Sequence, residues 1–341
     1  MLNALRAAVL LLGFAGFAPH AAQSAGPPNA VGVRLVEYVT PDHRAMSMVV
    51  FYPAGSTGPQ LELPFTVGLD LRADAPVLAD GARHPLVMLS HGRGSDAFQY
   101  AWLGQALAAN GMVVAGVNHY RANTYQREIG WLANRIWQRP IDISLGITYL
   151  LSEPAWRDYL DPEAIGVMGH SQGGFTALWI GGARVNAERF LAFQRRFIND
   201  PKIPEAIRRD LPLDAGPALA VADPRVKAIF AMAPGVVQAF GMDAEGLRQL
   251  AVPAFLAVGE ADGQTPPADN AVFAAEHIPG ARLWVIPGPV GHEIFTNECD
   301  EEGRNEFPEA CVDHPGVDRH ALHEQIAAAA LDFFRTNLRP R

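Results

Sequence analysis

The sequence predicts an α/β protein with a mostly parallel sheet flanked by helices, and three observations predict it. Continuous apolar runs of strand length recur at residues 85–90, 112–117, 164–168, 226–232, 254–258 and 283–286, with helical spacings between them. Such runs suit strands buried on both faces, as parallel strands are. The order strand, turn, helix, strand over residues 85–117 describes a right-handed crossover unit. Finally, at residues 163–175 a strand passes straight into a helix through a glycine-rich turn, with Ser171 at its apex.

Residues 1–24 read as a signal peptide: Arg6 in a short basic start, an apolar run over 7–18, then Ala22-Gln23-Ser24 as a small-residue cleavage site before Ala25. The run is too short for a spanning helix, and no cysteine follows it to accept a lipid. The expectation is a secreted or periplasmic chain without stable membrane insertion, folding as one domain over 25–341. Residues 33–39 and 46–52 read as strands, and the Pro-, Gly- and Asp-rich residues 53–83 as a loop. After the run at 85–90 come a helix over 97–109, a strand over 112–117 and a helical stretch over 131–151 despite Pro140. An amphipathic helix over 320–334 closes the chain.

One interval breaks the alternation. Residues 183–222 form an insertion with helical stretches at 187–198 and 204–211, and a long excursion of this kind is either a lid over the site or a plain surface excursion. Its arginines 195, 196, 208 and 209 either meet an anionic headgroup or form a solvated face.

The formal charge of -9, with no basic stripe, argues against a nucleic-acid partner. The two cysteines, Cys299 and Cys311, share one acidic loop, and in an exported chain a disulfide is the natural reading. Their acidic surroundings lack a zinc spacing, so no metal is expected.

The G-x-S-x-G pattern at 169–173 places Ser171 in a tight turn where strand and helix pass too closely for side chains at Gly169 and Gly173. A serine there acts as a nucleophile only with an imidazole to take its proton and a carboxylate to orient that imidazole. In this architecture the chain order is serine, acid, histidine. His292, in the loop after the last strand, fits the base. Asp262, in the turn after the strand at 253–259, fits the acid better than Glu260, which lies closer to the strand end. The backbone N–H groups of Arg93, in the Ser90-His-Gly-Arg-Gly loop, and of Gln172 fit an oxyanion hole.

These four motifs, spread from Ser90 to His292, resemble the α/β-hydrolases over nearly the whole mature chain. More narrowly, the Ser90-His-Gly-Arg-Gly loop, Arg139-Pro-Ile-Asp-Ile-Ser144, Gly169-His-Ser-Gln-Gly-Gly174 and Gly259-Glu-Ala-Asp-Gly-Gln-Thr-Pro266 resemble the predicted dienelactone hydrolase and platelet-activating-factor acetylhydrolase-like group. That resemblance implies hydrolysis of a small-molecule or lipid ester through an acyl-enzyme, without cofactor. Dienelactone hydrolases proper carry cysteine where this chain has Ser171, so their substrate does not transfer. Secreted polyester hydrolases and cutinases are also similar in the elbow and a late disulfide, but lack the long insertion. Asp142 precedes the elbow and reads as a buried structural partner or helix cap. Amidase or peptidase activity on the same residues, and a non-catalytic binding protein on the same fold, are the alternative readings.

Overall fold

The computed structural model describes residues 29–339 except 56, 210, 212 and 214–220; the signal-peptide reading lies outside them, as does part of the insertion. Ten strands form one sheet: β1 (Ala30–Val39), β2 (Ala45–Ala54), β3 (Gln60–Leu61), β4 (Leu71–Ala73), β5 (His84–Ser90), β6 (Val113–Asn118), β7 (Leu160–His170), β8 (Val226–Met232), β9 (Ala254–Gly259) and β10 (Arg282–Ile286). Their order across the sheet is β10-β9-β8-β7-β5-β6-β2-β1-β4-β3. The six strands from β10 to β6 run parallel, as the apolar runs predict, while β2 joins β6 and β1 joins β2 antiparallel.

The helices are α1 (Ala101–Ala109), α2 (Ile129–Ala133), α3 (Gln138–Ser152), α4 (Gln172–Ile180), α5 (Ala187–Ile198), α6 (Glu205–Arg209), α7 (Ala244–Leu247), α8 (Ala271–His277), α9 (Glu301–Glu306), α10 (Pro308–Cys311) and α11 (Arg319–Asn337). Helices α3 and α4 cover one face of the central strands and α1 and α11 the other. Contact is close on both sides. A Cβ at Gly146 of α3 would stand 3.0 Å from the Met88 side chain, and one at Gly166 of β7 would stand 2.6 Å from the Phe334 ring of α11. Sandwiched this way, Val87, Met88, Leu89, Val167 and Met168 are wholly excluded from solvent.

Three readings need correction. Residues 53–83 are not only loop: β3 and β4 lie there, β4 pairing in parallel with β1 through three residues. Strands of two and three residues leave no apolar run to read. The helical stretch at 131–151 is two helices, α2 and α3, and Pro140 sits in the first turn of α3, where its missing N–H costs nothing. The first helix opens as a 3-10 turn, Ala97–Tyr100, capped by the Asp96 carboxylate on the Phe98 amide at 2.9 Å.

The connection from β5 to β6 lies on one side of β5, and the next strand in the chain, β7, pairs on its other side. At such a switch point the loops at the carboxyl ends diverge and leave a crevice. The two loops that diverge here begin at Ser90 and at Ser171.

Of the insertion, α5 has the predicted bounds, and α6 is shorter than predicted. Helix α5 packs through Phe190 and Phe193 against Trp179 of α4 and Phe240, and Gln194 Nε2 donates to the Asn134 carbonyl at 2.8 Å. The described part is therefore fastened beside α4.

Cys299 and Cys311 form a disulfide with Cα atoms 5.5 Å apart, closing a loop that carries α9 and α10. Phe307 of that loop meets Phe65 edge-on at 5.3 Å, and Cys299 bridges Thr66. The chain-entropy relation for this loop length gives a stabilisation of about 3 kcal/mol. A Cys299→Ser, Cys311→Ser double variant is accordingly expected to lose up to that amount in denaturant unfolding, and an unchanged midpoint would refute a stabilising role for the bridge.

Candidate active site

Ser171 sits at the end of β7 with φ 56° and ψ -122°, a region that costs a non-glycine residue roughly 1–3 kcal/mol. The surroundings enforce it. Ser171 N–H donates to the Met232 carbonyl at 2.9 Å, and the Ser171 carbonyl accepts from Gly235 N–H at 2.8 Å. The elbow glycines are required for space: a Cβ at Gly169 would lie 2.2 Å from the Gly173 carbonyl oxygen, and one at Gly173 would lie 1.8 Å from the Ser90 carbonyl oxygen. Strand-to-helix proximity, inferred from the motif, is thus a backbone fact.

Asp262 and His292 come together. His292 Nδ1–H donates to Asp262 Oδ2 at 2.7 Å, with both side chains nearly removed from solvent. The carboxylate is held from several sides: Oδ1 accepts the Gln264 and Thr265 amides at 2.9 and 2.8 Å, and Oδ2 accepts the Thr265 hydroxyl at 2.8 Å. Glu260 points elsewhere, accepting the Gly288 amide at 2.6 Å while exposed. Thr265 was not singled out in the sequence; its hydroxyl also lies 3.2 Å from His292 Nδ1 and 3.3 Å from the Ala233 carbonyl.

A hydrogen-bonded line joins this histidine to the loop after β5. His170 Nε2–H donates to the His292 carbonyl at 3.1 Å. That fixes His170 Nδ1 as the acceptor of the Tyr100 hydroxyl at 3.0 Å, and the Tyr100 oxygen accepts Gly92 N–H at 3.0 Å. The next amide, Arg93 N–H, and that of Gln172 have no acceptor among the described residues. A Cβ at Gly92 would lie 3.6 Å from Ser171 Cβ, so this loop approaches the serine directly. Arg93 is exposed, with no acidic partner among the described residues.

Beneath these loops lies a buried polar network that the sequence did not disclose beyond Asp142. Asp142 pairs with Arg44 Nη1 at 2.5 Å and accepts from His119 Nδ1 at 3.1 Å, as its reading as a buried partner requires. The Ser90 hydroxyl meets His119 Nε2 at 2.8 Å. His91 Nδ1–H donates to the Gly92 carbonyl at 2.7 Å, and its Nε2 accepts His119 N–H at 3.2 Å. Burial pushes the Asp142 carboxyl up to about 6, against the pull of Arg44.

Four buried histidines, His91, His119, His170 and His323, are held below the ordinary imidazole pKa, foremost by desolvation. For His323, which stacks on Trp102 at 3.7 Å, the value falls to about 4. Each is neutral when folded and takes a proton near pH 6.5 when unfolded. Their stabilisation is therefore complete above pH 6.5 and is lost as pH falls toward the folded values. Asp142 opposes this: its raised folded pKa makes the native state bind a proton more readily between about 6 and 3.8. The net of four against one predicts a chain less stable at pH 5 than at pH 7.5. Denaturant unfolding at the two values checks this, and equal stabilities would refute it.

Strained serine, paired carboxylate and imidazole, and two open amides lie at the carboxyl ends of neighbouring parallel strands. This is the architecture of an α/β-hydrolase fold. Among solved structures the chain is similar to a ferulic acid esterase from Streptomyces cinnamoneus, with a TM-score of 0.60 and 20% identity over 94% of both chains. It is also similar to a dienelactone hydrolase from Anabaena variabilis, with a TM-score of 0.50 and 17% identity over 89% of this chain and 99% of that one. No family model matches the sequence, and no curated protein does. Among the described residues no group of His, Cys, Asp and Glu is arranged to hold a metal ion, and no helix is long and apolar enough to cross a membrane.

Proposed function

We propose that the protein is an exported serine hydrolase acting on carboxylic esters of small molecules or lipids through an acyl-enzyme. The observation that carries this reading is the strained elbow at Ser171 beside the His292 and Asp262 pair: the ring of the adjoining His170 lies 4.6 Å from that of His292, which is bonded to Asp262. Ser171 Oγ attacks the ester carbonyl while His292 Nε2 takes its proton, and Asp262 stabilises the resulting imidazolium. The carbonyl oxygen, now negative, is received by the Arg93 and Gln172 amides. His292 returns the proton to the departing alcohol, then deprotonates the water that cleaves the acyl-serine. The disulfide and the signal-peptide reading support export, and the ferulic acid esterase of like fold favours esters over amides.

The test is covalent labelling with a fluorophosphonate, followed by peptide mass mapping. The adduct is expected on Ser171 alone among the eight serines of the chain, with loss of nitrophenyl ester hydrolysis in proportion to labelling. No adduct, or one on another serine, would defeat the assignment.

A further inference from the structure

An oxyanion hole works only if its donors are held in place before charge develops, and here they stand on loops far apart in the chain, at Arg93 and Gln172. One side chain grips both loops. Arg139, in the first turn of α3 and 2% exposed, donates from Nη2 to the His91 carbonyl, two residues before the Arg93 amide. From Nη1 it donates to Gln172 Oε1 at 3.3 Å, and from Nε to Thr176 Oγ1 in the same helix turn at 3.3 Å. The Ser90 hydroxyl oxygen lies 3.4 Å from Nη2, in the residue that opens the first loop. Gln172 is pinned at its other end, Nε2 donating to the Leu132 carbonyl at 3.0 Å.

We propose that Arg139 is the positioning residue of the oxyanion hole: its planar fork sets the separation of the two amide-bearing loops and leaves a buried cation behind them. This rests on the reading of the site as a serine hydrolase. Two features favour it over a general packing role. All four contacts are neutral oxygens, two where β5 ends (Ser90 and His91) and two in α4 (Gln172 and Thr176), and among the described residues no carboxylate pairs with the guanidinium. The nearby carboxylate, Asp142, is taken by Arg44 and His119. Burial lowers the Arg139 pKa to about 9, which still leaves it charged at neutral pH. A buried guanidinium with no direct ion pair is costly even with the Asp142 charge nearby, and negative charge appearing on the substrate oxygen in front of it relieves that cost only in the transition state.

The experiment compares Arg139→Lys and Arg139→Met with wild type in ester turnover and in affinity for an aryl trifluoromethyl ketone, which forms a tetrahedral adduct with the serine. Arg139→Met is expected to lower kcat by about 10²-fold with KM changed less than about threefold, and ketone affinity falls in parallel. Arg139→Lys keeps charge without the fork and is expected in between. A kcat for Arg139→Met near that of wild type, or a loss of kcat without loss of ketone affinity, would overturn the proposal. Should the Met variant not fold, Gln172→Met decides: it keeps the backbone amide, removes the tether, and is expected to lose about tenfold in kcat at constant KM. Unchanged kcat there overturns the proposal equally. Wild type without a phosphonate adduct on Ser171 refutes the hydrolase reading itself, whereas a normal adduct with undiminished variants refutes only the role of Arg139.

Discussion

Ser171→Ala is expected to lower ester turnover by at least about 10⁴-fold and to abolish phosphonate labelling, while the fold stays intact. The loss is large because oxyanion donors and a positioned base cannot replace the nucleophile that uses them. The fold survives because the Ser171 side chain makes no hydrogen bond among the described residues, whereas its backbone is fixed by Met232 and Gly235. A sharper version uses Ser171→Gly. At φ 56° glycine carries no Cβ penalty, so this variant is expected to be equally inactive yet more stable by about 1 kcal/mol. Denaturant midpoints beside rate measurements separate the effects. Wild-type turnover in either variant would end the case for a serine nucleophile.

The parts of the site that were legible in the sequence are those whose chemistry is local. The elbow announced itself because two close backbone approaches each forbid a side chain, which leaves glycines at fixed offsets from Ser171. Asp262 and His292 followed from chain order and from their position just beyond apolar strands. The parallel strands were legible for a related reason, since burial on both faces erases the polar alternation. What stayed hidden depends on contacts between distant segments. Nothing near Arg139 says that its guanidinium reaches His91 and Gln172, and nothing near Thr265 says that its hydroxyl will face both Asp262 and His292. The course of residues 233–237, just after β8, was equally silent, although Ala233 and Val236 adopt positive φ, at 40° and 44°. That course is set by bonds to Ser171, Ala257 and Asn270 rather than by the segment's own composition.

Gly173→Ala is expected to be the most damaging of the conservative substitutions. The added methyl would stand 1.8 Å from the Ser90 carbonyl oxygen, 2.5 Å from its carbon and 2.7 Å from the His91 carbonyl oxygen, all main-chain atoms that no rotamer change can move aside. Relief requires α4 to part from β5 at the switch point of the sheet. A shift of that size in a close-packed interior costs more than about 4 kcal/mol, a large share of the stability of an ordinary domain. The expected result is loss of soluble protein or a collapse of the unfolding midpoint. Gly263→Ala is the control for stability, since a Cβ there meets nothing within 4 Å. If Gly173→Ala melts like wild type, the elbow is looser than its geometry states.

The turn that carries His292 depends for its placement on the end of the chain. The Ile294 carbonyl accepts from His323 Nε2 at 2.8 Å, and the Asn297 carbonyl accepts from Arg319 Nη1 at 3.0 Å, both donors belonging to α11. Synthesis runs in the other direction. When Ser171 emerges, the Met232 and Gly235 partners that fix its backbone and the α11 donors that hold the His292 turn are all still to be made. On the hydrolase reading, the candidate nucleophile therefore has no partner histidine in place until α11 docks.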